Sequence, residues 1–226
     1  RSLVDFPDSV ERLRLLGDAL LAGGRTDEAL AKYRRALEID PQDGQTHGRL
    51  GQFHARGGRF DQATPFLQRF VDLEPTSPNA HTNLANGLFG GGRFDEGIAH
   101  LKEALRLDPA CVPALESMIT VRKALHQDDA MVEALRAAVA ALPKVQSYRG
   151  RLAWALATLP SSPEPAHQEA LALAQALARE SPADPAVLDA LGVALARRGD
   201  FRGAVEAAEK ALSLAEERGQ EAMVRA

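Results

Sequence analysis

Five prolines in this chain of 226 residues are separated by a constant interval of 34 residues. They are Pro7, Pro41, Pro75, Pro109 and Pro143. A period of this length is typical of arrays in which each repeat is a helical hairpin that buries its apolar face only by stacking on its neighbours. The spacing therefore predicts an all-α repeat architecture before any other property of the chain is considered.

Residues of the same type recur at the same positions of successive 34-residue segments. Their spacing of three and four places them on one face of a helix, so they predict the buried columns of each hairpin. The first-helix column is Leu16, Leu50, Leu84 and Met118, each followed by Gly17, Gly51, Ala85 or Ile119. The second-helix columns are Ala29, Ala63 and Gly97, then Tyr33, Leu67 and Leu101, then Ala36, Phe70 and Ala104.

A Gly-Gly-Arg sequence at 23–25, 57–59 and 91–93 separates the two predicted helices of each hairpin. Glycine ends a helix at low cost because it can adopt the left-handed conformation. The aspartates that follow, Asp27, Asp61 and Asp95, are predicted to cap the second helices. In the fourth segment His126 replaces the glycine, and we expect a less regular turn there.

Taken together, these columns resemble the tetratricopeptide repeat, whose pattern of Trp, Leu-Gly, Tyr, Ala, Phe and Pro has the same length. The chain departs from that pattern at His47 and His81, which stand where a large aromatic is usual. The resemblance implies a right-handed superhelical solenoid of antiparallel helix pairs. The segment 152–160, before an alanine-rich helix, resembles a longer repeat variant of bacterial members of the family.

The period also predicts the domain organisation. Pro182 follows Pro143 by 39 residues, so we expect five extra residues in a Pro/Ser-rich loop at 158–168. Both ends resemble cut repeats, which suggests a fragment of a longer solenoid, although a natural short cap is the alternative. The predicted segments are a tail of a preceding repeat or cap at 1–9, four regular units at 10–145, a lengthened unit at 146–184, a final unit at 185–218 and the start of a truncated capping helix at 219–226.

Composition and motifs exclude several classes of function. A net charge of −4 argues against nucleic-acid binding, and no apolar run approaches the roughly 20 residues that span a bilayer. We therefore expect a soluble protein, which the resemblance to bacterial members of the family would place in the bacterial cytoplasm or periplasm, with the choice between them left open. The chain has no phosphate-binding loop, nucleophile elbow or zinc-protease motif, so no enzyme activity and no cofactor are predicted. His47, His54 and His81 lack the acidic or cysteine partners of a metal site, and they are interpreted as replacements for aromatics.

The only asparagines, Asn79, Asn83 and Asn86, lie on one face of one predicted first helix. By the resemblance, first helices line the concave groove. Because a side-chain amide both donates and accepts, such a track can pair with the backbone of an extended peptide, whereas a merely solvated face is the alternative. The candidate partner-binding residues are Gln45, Arg49, Gln52, Arg56, Asn79, Asn83, Asn86, Phe89, Thr120 and Lys123.

Aromatic and charged neighbours refine this hypothesis. Phe89 is predicted to be an exposed anchor in the groove, whereas Phe60, Phe94 and Phe201 are assigned to the core. Trp154 is expected to pack beneath the loop at 160–165 rather than serve as an anchor. A further residue in these columns, Asp18, would repel a carboxylate, which argues against the family's clamp for acidic chain ends.

The leading functional interpretation is a non-catalytic scaffold that binds an extended peptide or a partner helix in its concave groove. The alternative is an accessory or assembly arm of a larger membrane-associated or enzymatic bacterial complex. Self-association through the solenoid ends is a third possibility, promoted by apolar residues such as Leu3, Val4 and Phe6.

Overall fold

The structure, a computed structural model, describes residues 9–160 and 162–224. In these residues the secondary structure is helical throughout, without a strand, which confirms the all-α prediction. The helices are α1 (Val10–Ala22), α2 (Thr26–Ile39), α3 (Gly44–Arg56), α4 (Phe60–Leu73), α5 (Pro78–Gly90), α6 (Phe94–Leu107), α7 (Val112–Ala124), α8 (Asp128–Ala141), α9 (Gln146–Thr158), α10 (Glu164–Glu180), α11 (Pro185–Arg197) and α12 (Phe201–Val224).

Consecutive helices form antiparallel hairpins, with α1 pairing with α2, α3 with α4, α5 with α6, α9 with α10 and α11 with α12. The chain divides into two compact units, Arg1–Val121 and Arg122–Ala226, and the boundary falls inside α7. Within the first unit, α3 also contacts α5, the first helix of the next hairpin. The second helix α4 also contacts α5, so both helices of one hairpin pack against the first helix of the next.

The buried columns predicted from the period are confirmed at the contact between the two helices of a hairpin, but Leu16, which begins the predicted first-helix column, is 46% exposed. Tyr33 and Leu67 are fully buried, and each covers a glycine of the paired first helix. A methyl group on Gly17 would lie 2.5 Å from Cε1 of Tyr33, and one on Gly51 would lie 2.5 Å from Leu67. The small residues thus let the paired helices approach closely.

The second glycine of each Gly-Gly-Arg turn has the predicted left-handed conformation, with φ between 70° and 76° at Gly24, Gly58 and Gly92. This conformation lets the next residue, for example Arg25, donate its backbone N–H to Leu20 O at 2.9 Å. The carbonyls at the end of the first helix are therefore satisfied inside the turn.

The turn at His126 is regular, contrary to the sequence prediction. His126 itself adopts φ 53°, and Gln127 donates to Arg122 O at 2.9 Å, as in the glycine turns. Histidine is among the residues that tolerate this conformation better than most, so the hydrogen-bond pattern survives the loss of glycine.

The predicted aspartate caps are wrong. The N-cap positions of the second helices are Arg25, Arg59 and Arg93, none of which forms a side-chain cap hydrogen bond. Asp27 lies inside the first turn of α2, and Asp61 and Asp95 lie likewise in α4 and α6. Their negative charge there favours the helix through its dipole.

The extra residues of the fifth hairpin only partly form a loop. The connection is confined to residues 159–163, whereas residues 164–168, predicted as loop, belong to α10, a helix of 17 residues. Pro165 lies in the first turn of α10, where a missing N–H costs nothing. The lengthened repeat therefore owes most of its extra length to a longer second helix.

The described residues test only some of the predictions made for the two ends of the chain. Ser9 caps α1 by accepting from the Arg12 N–H at 3.2 Å. The remainder of the predicted tail, with Leu3, Val4 and Phe6, lies outside the described residues. At the other end α12 continues through Gly219 to Val224, whereas the sequence predicted that a separate helix begins at 219.

Candidate functional site

A concave pocket with a volume of about 290 Å³ lies in the first unit, between the first helices of two adjacent hairpins. Its sides come from α3 and α5, and single residues of α4 and α7 complete it. The lining residues are Gln45, Gly48, Arg49, Gln52, Phe70, Asn79, Thr82, Asn83 and Pro113.

Five of the ten residues predicted to bind a partner line this one pocket: Gln45, Arg49, Gln52, Asn79 and Asn83. Arg56, Asn86 and Thr120 are exposed on the same first helices but do not line it. Lys123 belongs to the second unit. Thr82 and Pro113 were missed by the sequence reasoning, although the position of Thr82, three residues after Asn79 on α5, was an available signal.

Gln45 is fixed in the pocket wall by a carboxylate of the same hairpin. Its Nε2 atom donates to both carboxylate oxygens of Glu74, at 3.0 and 2.8 Å. Glu74 is the C-cap residue of α4 and holds this side chain from behind. Because the amide nitrogen is engaged, the Gln45 carbonyl oxygen is the group that remains to accept a hydrogen bond from a ligand.

Arg49 is held by Asp18 of the preceding hairpin. The Arg49 Nε atom lies 3.0 Å from one carboxylate oxygen of Asp18 and 3.1 Å from the other. The buried Tyr33 hydroxyl donates to the same carboxylate at 2.7 Å. Burial, together with this hydrogen bond, raises the pKa of Tyr33 above its usual value. Asp18 therefore anchors Arg49 and offsets its charge, in addition to disfavouring a bound carboxylate.

Phe89 is not an exposed anchor, contrary to the sequence prediction. Its side chain is half-buried, lies over Gly97 of the paired helix α6 and stacks on Phe94 with ring centroids 6.2 Å apart. Because Gly97 has no side chain, the Phe89 ring fits into the contact between α5 and α6. Phe94 and Phe201, assigned to the core from their period, are instead exposed.

Trp154, in the second unit, is 42% exposed rather than packed beneath the neighbouring loop. It is the ninth residue of α9, the position that Gln52 occupies in α3. The ring therefore belongs to the same column of the first helices as a pocket-lining residue of the first unit, and the expectation that it is a packing residue is wrong.

Two of the histidines, His47 and His81, form hydrogen bonds to the loops that connect hairpins. His81 is buried, and its Nε2 atom donates to the Pro75 carbonyl at 3.0 Å. Its Nδ1 atom lies 3.0 Å from Nδ1 of His100. His47 makes the equivalent bond to the Pro41 carbonyl, also at 3.0 Å. Among the residues that the structure describes, no group of three His, Cys, Asp or Glu side chains could hold a metal ion.

No helix in the described part of the chain is both long enough and apolar enough to cross a membrane.

Family models for the tetratricopeptide repeat match three segments of the chain, residues 20–87, 78–111 and 186–218. No curated protein sequence matches the chain. The matched segments together cover more than half of its length and fall in both units.

Solved structures with the same fold include two proteins named MamA and one named YrrB. A MamA protein has a TM-score of 0.61 at 18% identity, covering 78% of this chain and 94% of its own. MamA from Desulfovibrio magneticus RS-1 has a TM-score of 0.59 at 21% identity, and the match covers 78% of this chain and 96% of that protein's chain. YrrB is described as a tetratricopeptide repeat protein with an unusual peptide-binding site. It has a TM-score of 0.62 at 19% identity, and the match covers 80% of this chain and 91% of the YrrB chain. Repeat period, hairpin geometry and family models agree, and the chain belongs to the tetratricopeptide repeat family.

Proposed function

We propose that the chain is a non-catalytic protein-interaction scaffold whose first unit binds an extended peptide in the pocket between α3 and α5. The observation that carries this proposal is the convergence of Gln45, Arg49, Gln52, Asn79 and Asn83 on one concavity of about 290 Å³. Concave surfaces built from stacked hairpins are the usual binding surfaces of repeat proteins. The likeness to YrrB, a protein described with a peptide-binding site, supports the same interpretation.

The chemistry of the lining residues favours the backbone of the partner over its charged side chains. Four of the five side chains are amides: Gln45 offers its carbonyl oxygen as an acceptor, and the other three can both donate and accept, which is what a peptide group requires. The fifth, Arg49, has its charge offset by Asp18 at 3.0 Å. A partner therefore gains hydrogen bonds along its main chain and little net Coulomb attraction, so its affinity should depend weakly on salt.

Preorganisation adds to this affinity. Gln45 is fixed by Glu74 and Arg49 by Asp18, so neither side chain must be ordered when a ligand arrives. Immobilising a side chain of this length costs about 0.5–1.5 kcal/mol in a binding reaction. The ordering cost therefore falls mainly on the extended partner.

The test is selection from a phage-displayed library of random linear peptides on the chain of 226 residues. The Kd of an enriched synthetic peptide is then measured by calorimetry for the wild type and for the variant Asn79→Ala, Asn83→Ala. We expect the variant to weaken binding at least about tenfold, since both amides line the pocket. The same titration at low and high salt should give similar Kd values.

Asn86→Ala is the matched control, because Asn86 is exposed on the same helix α5 and lies outside the pocket. Its Kd should stay within about twofold of the wild-type value, as for a residue outside the energetic centre of an interface. A peptide that binds all three proteins equally would contradict the proposed site. Failure of any peptide to be enriched would contradict peptide recognition itself.

A further inference from the structure

The last helix of the second unit has an uncovered apolar stripe. Phe201, Val205 and Leu212 of α12 are 70%, 55% and 61% exposed. They are spaced by four and seven residues, so they lie on one face of the helix. Ala208, between the two aliphatic side chains, continues the stripe and is also exposed. Large apolar side chains at this spacing are the pattern by which one helix packs along another.

At two positions of the stripe, the equivalent residues of some earlier second helices are buried. Val205 is the fifth residue of α12, as Ile98 is of α6 and Val132 of α8, and both of these are buried. Leu212 is the twelfth residue of α12, and Val71 is the twelfth residue of α4. Val71 belongs to a core cluster with Ala80, Leu84 and Leu88 of α5, the first helix of the following hairpin. The stripe is therefore the stacking face of the repeat, and no described helix covers it on α12.

Charged residues border the stripe on one side. Arg202 and Glu209 are seven residues apart and project from the same edge of α12, next to the apolar residues. Arg202 forms an ion pair with Glu206 at 3.1 Å, but both side chains are largely exposed, so this pair contributes little and is easily exchanged.

We propose that a second copy of this chain covers the stripe, with the two α12 helices packed antiparallel about a two-fold axis. In this arrangement Phe201 of each copy packs against Leu212 of the other, and Val205 packs against Ala208, whose small side chain lets the helices approach. The contact is self-complementary, as a two-fold interface requires.

The charged residues beside the stripe favour a second copy of the chain as the partner, and they favour antiparallel packing of the two helices. Antiparallel packing brings Arg202 of each copy beside Glu209 of the other, and the two-fold axis makes this pair twice. A parallel arrangement would instead bring this edge of one helix against the opposite edge of the other, where Ala204 and Ala211 lie, so neither ion pair would form. The charges along this edge of α12 are therefore complementary to those of a second, antiparallel α12.

Sedimentation equilibrium of the full chain from micromolar to submillimolar concentration tests this proposal. We expect the mean mass to rise from the monomer value of 24.3 kDa toward twice that value. The variant Val205→Glu, Leu212→Glu should raise the dimer Kd at least about tenfold, because it places charge at the centre of the contact. Leu15→Glu is the matched control, since Leu15 of α1 is 58% exposed outside the stripe, and it should leave the Kd unchanged.

A charge exchange tests the direction of packing. Arg202→Glu alone and Glu209→Arg alone should each weaken the dimer, whereas the double variant should recover the wild-type Kd because the opposite charges meet again. Circular dichroism of each variant establishes that the helices remain folded. A chain that is monomeric at all concentrations, a dimer insensitive to the stripe variant, or a double variant weaker than both single ones would overturn the proposal.

Discussion

Gly48 and Phe70 are in such close contact that a methyl group added to the glycine would lie 2.7 Å from Cδ1 and 2.8 Å from Cε1 of the ring. Both residues line the pocket of the first unit, and Phe70 is buried beneath it. The pocket therefore exists because α3 presents no side chain at this position. The same absence lets the phenylalanine of α4 close the floor of the concavity.

We expect Gly48→Ala to destabilise the first unit by about 1–3 kcal/mol, the usual cost of forcing extra volume into a packed site. The matched control is Gly150→Ala, which changes the equivalent position of α9. There the nearest atom is Leu177 Cδ1 at 4.0 Å, so alanine fits and should stabilise the helix by up to about 1 kcal/mol. Urea unfolding followed by circular dichroism measures both effects, and a Gly48→Ala protein as stable as the wild type would contradict this account.

The fold could be predicted from the sequence because the 34-residue period determines which positions face each other. Gly17 beneath Tyr33 and Gly51 beneath Leu67 follow from the period alone, since each large residue repeats opposite a small one. Helix ends also repeat, because proline after the second helix and glycine after the first act through local backbone constraints.

Details of the site could be predicted only in part. Periodicity predicted that Asn79 and Asn83 share one face of α5, and both line the pocket. It could not show that Phe89 turns inward, because this depends on the missing side chain of Gly97 on the paired helix. Nor could it show that Asp18 is engaged with Arg49, a contact between different hairpins whose geometry depends on how they stack.

The His81–His100 contact should make stability depend on pH. His81 donates from Nε2 to the Pro75 carbonyl, so its Nδ1 accepts from the Nδ1–H of a neutral His100. Burial, and then repulsion from His81 whenever that ring is protonated, lowers the pKa of His100, while the carboxylate of Glu96 opposes this shift. Because protonation is easier in the unfolded chain, stability should be greatest above the ordinary histidine pKa of about 6.5 and should decrease as the pH falls below it.

His100→Phe is the variant that tests this dependence. Phe66 occupies the equivalent position of the preceding hairpin and packs beside His47 with ring centroids 6.1 Å apart, so a phenyl ring fits this column. The urea midpoint of the variant should decrease less than that of the wild type between pH values of about 7 and 5. A remaining slope is expected from His54, whose pKa is lowered by burial and then by Arg59. Identical slopes for variant and wild type would contradict the role of His100.

The turn at His126 should be stabilised by the glycine that the other repeats have. His126 has φ 53°, a conformation that costs a side chain about 1–2 kcal/mol and glycine almost nothing. Glycine loses more backbone entropy on folding, about 0.5–1 kcal/mol, so His126→Gly should stabilise the second unit by a net 0.5–1 kcal/mol or so. The reciprocal variant, Gly92→His, has φ 76° and open space around it, so it should destabilise the first unit through backbone strain alone. Urea unfolding of both variants measures the two effects, which must have opposite signs if left-handed strain is their cause.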